Sequence, residues 1–435
     1  YHSRCAGDSP YNNEANVLRI AELRQARATL LGYSSYAAFA LEERMAETPE
    51  KVMSFLNELL SKAKPQALKE LEQLKSFSGL TDFEQWDFAY YAEKLKQERY
   101  QIDDSLLKPY LALDKAIEGM FAVAHKLYGL HFSLTDEVET YHPEVQTYKV
   151  TDENGHYLAL LYTDFFPRPG KRNGAWMTSY KEQYIDKQGN DSRPHISIVC
   201  NFTRPTTSAP SLLTFGELTT LFHEFGHALH GFFASQQYAS ISGTQTPRDF
   251  VEMPSQFNEH WMTDSVVLSN YARHYQTGEP MPQALVNKLK ASALFNQAYA
   301  LGENLGAVAI DMAWGMLAPG VKITDVDAFE RKALDERGLY LSQVPPRYRS
   351  TYFLHVFGGG YAAGYYSYLW TQVLESNIFD WFVEHGGMTA ENGQRLRDLV
   401  LSRGNSQPVK DLFAAFTGRL APDMKSLIRA RGLAD

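Results

Sequence analysis

Apolar residues recur with helical spacing almost without interruption over residues 13–130. Leu18, Ile20, Leu23, Ala26 and Leu30 form one set, which stops at Gly32. A second runs from Pro49 through Val52, Phe55, Leu56, Leu59 and Leu60 to Leu74. Pro65 within it is expected to kink or split that helix, because proline lacks the N–H and crowds the preceding turn. Further helices are predicted over 83–100 and 111–128. The period then shortens to two: 145–150, 157–165 and 196–202 read as strands, the first pair joined by Asp152-Glu153-Asn154-Gly155. Residues 174–177 are a weaker strand candidate. After Leu212 the helical period returns to the end, punctuated by Pro280, Pro282, Pro319, Pro345-Pro346 and Pro408. No internal repeat is visible. The pattern predicts a mainly α protein carrying one small β-sheet.

Composition narrows the function classes. The 435 residues carry a net charge of −9 with no Lys/Arg-rich block, which argues against the basic footprint that nucleic-acid binding needs. The most apolar stretch, 301–319, is interrupted by Glu303, Asn304 and Asp311, so no membrane span is expected. No targeting segment is visible, although the chain opens with Tyr1 rather than Met. The two cysteines, Cys5 and Cys200, offer neither a disulfide framework nor a thiolate metal site, and Cys200 reads as a buried core thiol. That usage suits a reducing cytoplasm, with a periplasmic location left open. The 26 Tyr and 25 Phe could line a peptide cleft or simply fill the core.

The chemistry concentrates at His223-Glu224-Phe225-Gly226-His227. Thr214 and Glu217 form a capping-box pattern upstream and Gly231 offers a stop, so the motif is expected on a helix over 214–231. One turn apart, His223 and His227 project from one face and can each give a nitrogen to one Zn²⁺. Glu224 can then reach the attacking water without binding the metal. A catalytic site needs a third ligand. Glu252 is the best placed, after the helix-start signal Thr246-Pro247, and a surface carboxylate is the competing reading. Pro254 either bends that helix or marks its true start. Glu259 or Asp249 could hold a ligand histidine from behind, an ordinary salt bridge being the alternative for each. His230 is read as structural, since a fourth protein ligand would close the site.

A second group is His355, Gly358-Gly359-Gly360-Tyr361, Tyr365, Tyr366 and Tyr368. Helical spacing would place Tyr361, Tyr365 and Tyr368 on one face, either as a core stripe or as donors for a developing oxyanion. Arg248, Arg347 and Arg349 are candidates for gripping a substrate carboxylate, or are structural.

His223–His227 with Val251–Gln256 resembles the H-E-F-G-H and V-E-x-P-S-Q motifs of the thimet-oligopeptidase family of zinc metallopeptidases. The stretches 246–255, 345–352, 358–370 and 401–406 resemble its bacterial peptidyl-dipeptidase (dipeptidyl carboxypeptidase) branch, and the likeness spans essentially the whole chain. The resemblance implies a zincin fold whose helical lobes flank a deep substrate channel. It implies one Zn²⁺ held by His223, His227 and Glu252, with Glu224 as catalytic base. It further implies that His355, Tyr361 and Tyr368 contact substrate or intermediate, with Tyr368 the preferred oxyanion donor. The expected division is a helical segment of an outer lobe over 1–130 and a catalytic region over 131–435. The latter comprises the sheet (131–205), the metal helix (214–231) and a C-terminal helical lobe. Family members extend further at the N-terminal side, so the chain is expected to lack much of one lobe. The implied activity is hydrolysis of short peptides by a cytoplasmic monomer, releasing dipeptides from free C-termini; the alternatives are internal cutting, or an inactive fragment that only binds peptide and zinc.

Overall fold

The computed structural model describes residues 3–433. The chain begins with α1 (Glu14–Leu30), α2 (Pro49–Ser78), α3 (Gln85–Tyr100) and α4 (Leu113–Tyr128). Strands follow: β1 (His131–Leu134), β2 (Gln146–Thr151), β3 (Tyr157–Asp164), β4 (Trp176–Lys181) and β5 (His195–Val199). Then come α5 (Phe215–Phe232), α6 (Met253–Glu259), α7 (Gln297–Gly315) and α8 (Ser367–Glu384), with shorter helical turns between and after them. The fold is mainly α with one small mixed sheet, as the two periods predict, and a further two-stranded antiparallel pair, Tyr184–Ile185 with Asp191–Ser192, which they did not. Among the described residues no helix is long and apolar enough to cross a membrane.

The described residues form two compact units. The first comprises those up to Gln101, Ser292–Trp370, and those from Leu427 on. Within it α1 buries Val17, Ala21, Gln25 and Ala28, and leaves Leu23 and Leu30 exposed. The buried face is therefore not the leucine set that the spacing suggested. Small side chains win it because they let α1 approach Ala309, Ile310 and Trp314 closely. The helix ends before Gly32, at φ +86°, where the sequence placed its stop. Thr48 caps α2 by accepting from the Lys51 N–H, and Gly79 closes it at φ +67°. Pro65 lies inside α2 without splitting it, since burial of Val52, Phe55, Leu56, Leu59, Leu71 and Leu74 outweighs one lost backbone bond.

The second unit comprises Ile102–Ala291 and Thr371–Ser426. Its sheet has the order β1-β2-β3-β5-β4; β3 and β5 pair in parallel and the other neighbours antiparallel. The predicted turn joins β2 to β3, with the Asp152 carboxylate accepting from the Asn154 and His156 N–H groups. β1 carried no apolar signal because it is mostly exposed. The central β5 is buried on both faces through Ile196, Ser197, Ile198 and Val199. β4 is an edge strand. At the end of β3 the buried Asp164 carboxylate holds Arg168 (2.7 and 2.9 Å) and Lys171 (2.9 Å), and Lys171 also donates to the Phe166 and Cys200 carbonyls.

Candidate metal centre

α5 forms because its first turn is closed twice over. The Thr214 hydroxyl accepts from the Glu217 N–H, and the Glu217 carboxylate accepts from the Thr214 N–H. The helix then buries Leu218, Leu221, Phe222, Phe225, Ala228 and Leu229. It runs through Gly231 rather than stopping there. A Cβ at Gly231 would lie 2.2 Å from Ile196 Cδ1 and 3.2 Å from Met177 Cε, so this glycine seats the helix on the sheet. Gly226 performs the same task on the other side: its Cβ would fall 2.5 Å from Ser255 Cα and 2.6 Å from the Pro254 carbonyl. The missing side chain lets α6 lie against α5, and Asn258 Nδ2 donates to the Phe222 carbonyl at 2.7 Å to fix the register. Pro254 marks the true start of α6, in its first turn, and Glu252 stands just before that helix.

That packing brings Glu252 to the two histidines. Its Oε2 lies 3.2 Å from His223 Nε2 and 3.0 Å from His227 Nε2, and the three ligand-type atoms fall within 4.8 Å of one another. Donors about 2.0–2.1 Å from one zinc ion in tetrahedral array stand about 3.3 Å apart, so the trio fits such an ion. Glu259, on α6, sits 2.7 Å from His223 Nδ1. That carboxylate holds a proton on Nδ1, which leaves Nε2, on the Glu252 side, as the nitrogen available to a metal once its own proton is displaced. Burial works against charge on His223, but Glu252 and Glu259 outweigh it and raise its pKa well above the ordinary value. The same burial would lift the Glu252 carboxyl, yet the imidazoles of His227 and His223 hold it well below the usual range. Together these groups have the types and spacing of a set that can hold a metal ion.

Glu224 is 5% exposed; its Oε2 has no hydrogen-bond partner among the described residues, and burial pushes its carboxyl up. A buried acceptor left open beside three candidate ligands is placed to take a proton from something bound there. His230 is fully buried, and desolvation lowers its pKa to about 3, so its ring is neutral. Asp249 is buried in the short helix Arg248–Val251. Sequence reasoning did not single out His260 and Glu375, which pair at 2.5 Å while the imidazole stacks on Phe379 at 3.8 Å. The one available signal was that His260 follows Glu259 directly.

The other unit gathers His355, Tyr361, Tyr365 and Tyr368. Ring centroids from His355 are 5.9 Å to Tyr361, 5.4 Å to Tyr365 and 6.1 Å to Tyr368, and Tyr361 stacks on Tyr368 at 5.1 Å. These tyrosines do not share a helix face. α8 begins only at Ser367, and the preceding turn passes through Ala363 at φ +49°. The buried Asp311 carboxylate shapes that turn by accepting from the Ala363, Gly364 and Tyr365 N–H groups at 2.8, 2.9 and 2.9 Å. Tyr366 is buried, and Trp370 packs on Phe55 at 5.1 Å. Arg349 is engaged by Glu330 and Asp327, which removes it from the carboxylate-gripping candidates.

Comparison with solved structures places the fold. The M32 carboxypeptidase from Deinococcus radiodurans R1 superposes with a TM-score of 0.59 at 13% identity, covering 97% of this chain and 74% of that one. PZ peptidase A with inhibitor 2 gives 0.55 at 15% identity, covering 97% and 65%. Among curated proteins, the dipeptidyl carboxypeptidase of Escherichia coli (strain K12) is 44% identical, covering 99% of this chain and 63% of that protein. Oligopeptidase A of the same organism is 37% identical, covering 100% and 65%. The chain therefore spans 63–65% of the length of these two relatives. The profile of Peptidase family M3 matches residues 1–433, and the chain belongs to that family.

Proposed function

We propose that this chain belongs to an enzyme that hydrolyses peptide bonds in short peptides and releases dipeptides from free C-termini. In this reading His223, His227 and Glu252 hold one zinc ion and Glu224 is the general base. The observation that carries it is the convergence of those three side chains beside the buried, open carboxylate of Glu224. Bound there, zinc supplies Lewis acidity for the carbonyl and the attacking water. Glu224 takes one proton from that water as its oxygen adds to the scissile carbon. It returns the proton to the amine as the C–N bond breaks. Glu259 keeps His223 in the tautomer whose Nε2 faces the centre. On the family resemblance, His355, Tyr361 and Tyr368 are assigned to contact substrate, with Tyr368 donating to the developing oxyanion. The 44% identity to a dipeptidyl carboxypeptidase, against 37% to an oligopeptidase, favours dipeptide release over internal cutting.

The test compares an N-acetylated pentapeptide acid with its C-terminally amidated twin, products being identified by mass spectrometry. Release of a dipeptide from the acid alone supports the reading; equal cleavage of both replaces it with internal cutting. Glu224→Gln is expected to keep zinc and lose hydrolysis, and His223→Ala to lose both. Full turnover by Glu224→Gln would overturn the mechanism.

A further inference from the structure

Release of dipeptides calls for a fixed donor about two residues beyond the cut that recognises the free C-terminal carboxylate, and a guanidinium suits that task because it binds a carboxylate through two parallel hydrogen bonds. We propose that Arg172 is that donor, a specificity-determining residue that binds the substrate's terminal carboxylate; this rests on the dipeptide-release reading above.

The argument starts from the free edge of the sheet. β4 pairs with β5 on one side and with no strand on the other among the described residues, so an extended peptide can add to it. The start of β4 lies at the catalytic end of α5. Trp176 is opposite Val199, at the end of β5 away from Ile196, the residue that packs on Gly231 near the C-terminal end of α5. Farther along β4, Ser179 is opposite Ile196, which, with the long side chain of Met177, packs on Gly231 there. A peptide added antiparallel, the stronger pairing, runs opposite to β4 and carries its C-terminal end past Trp176 toward residues 172–174.

Arg172 stands at that end. Its guanidinium lies over the Trp176 ring, 5.6 Å from the centroid. Its backbone is clamped: Asn201 Nδ2 donates to the Arg172 carbonyl at 2.9 Å and to the Gly174 carbonyl at 2.8 Å. Gly170 and Gly174, at φ +82° and +92°, allow the tight path between. Nearby cations are already committed: Arg168 and Lys171 to Asp164, and Arg204 to Glu144. Arg172 has no carboxylate within ion-pair distance among the described residues, and two residues of extended chain span about 7 Å, within reach of its side chain from the start of β4.

Binding can be read without turnover. In Glu224→Gln protein loaded with zinc, calorimetry with the pentapeptide acid and its amide should show the acid bound about tenfold to a hundredfold tighter. Adding Arg172→Ala should remove that preference by weakening the acid alone, and Arg172→Lys should keep part of it. Arg172 is exposed, so the fold is not at stake. An acid preference that survives Arg172→Ala overturns the assignment while leaving dipeptide release standing. Equal binding of acid and amide without the substitution, or binding of neither, overturns both.

Discussion

At the scale of single residues, the absence of a side chain at Gly226 decides whether the centre exists. Any Cβ there meets backbone of the segment that carries Glu252, and backbone cannot rotate away as a flexible side chain can. Gly226→Ala should therefore cost about 1–3 kcal/mol and push Glu252 off the histidines. Thermal denaturation and zinc content by metal analysis check it: a stable variant with full zinc would refute the account. Glu259 makes a different demand. Glu259→Ala removes the acceptor from His223 Nδ1, frees the other tautomer, and should weaken zinc affinity about tenfold to a hundredfold with little loss of stability. Glu259→Asp, which keeps a carboxylate on a shorter arm, should recover part of it. Competition with a chromogenic chelator measures both.

At the scale of elements, two buried carboxylates hold loops in place and respond to pH with opposite signs. Asp164 anchors the segment after β3; burial opposes its charge, but Arg168 and Lys171 outweigh it and bring its pKa down to about 2. A depressed pKa contributes stability above pH 4 that is lost as pH falls toward 2. Asp311 anchors the tyrosine turn; burial raises its pKa to about 6 despite three backbone donors. Its contribution is full below pH 4 and is lost as pH rises through 6, about 3 kcal/mol for the shift. Asp311→Asn should abolish that decline, so wild type should lose stability relative to the variant between pH 4 and 7 in urea titrations. These anchors explain the limits of reading the chain. Strands 145–150 and 157–165, the helix over 111–128 and the capping box were legible because period and local chemistry specify them. The face of α1 was not, because close packing preferred alanine over leucine. The broken tyrosine helix was not, because its turn depends on Asp311, some fifty residues away in sequence. The candidate trio His223, His227 and Glu252 was legible as a motif, whereas the two glycines that seat α5 acquire their meaning only when α6 and the sheet arrive.

At the scale of the whole molecule, the candidate ligands come from one of the two units. His223, His227 and Glu252 all lie within Ile102–Ala291, and none lies in the unit that contains α1, α2 and α7. A ligand stabilises what it binds by RT ln(1 + [L]/Kd), about 2.7 kcal/mol at a hundredfold excess over Kd. Metal should accordingly act unevenly. Removing it would leave the half-buried imidazoles of His223 and His227 and the buried Glu252 carboxylate without a common partner, and should loosen the contact of α6 on α5 before anything else. Hydrogen exchange followed by mass spectrometry, with and without a chelator, should show lost protection in peptides covering 215–259. Peptides from 14–78 should be unchanged at low denaturant. Uniform loss across both units would mean that they unfold as one cooperative block and that metal supports the whole chain. No loss anywhere would mean that the trio is held by its own ion pairs and binds metal too weakly to matter, which would remove the basis for hydrolysis.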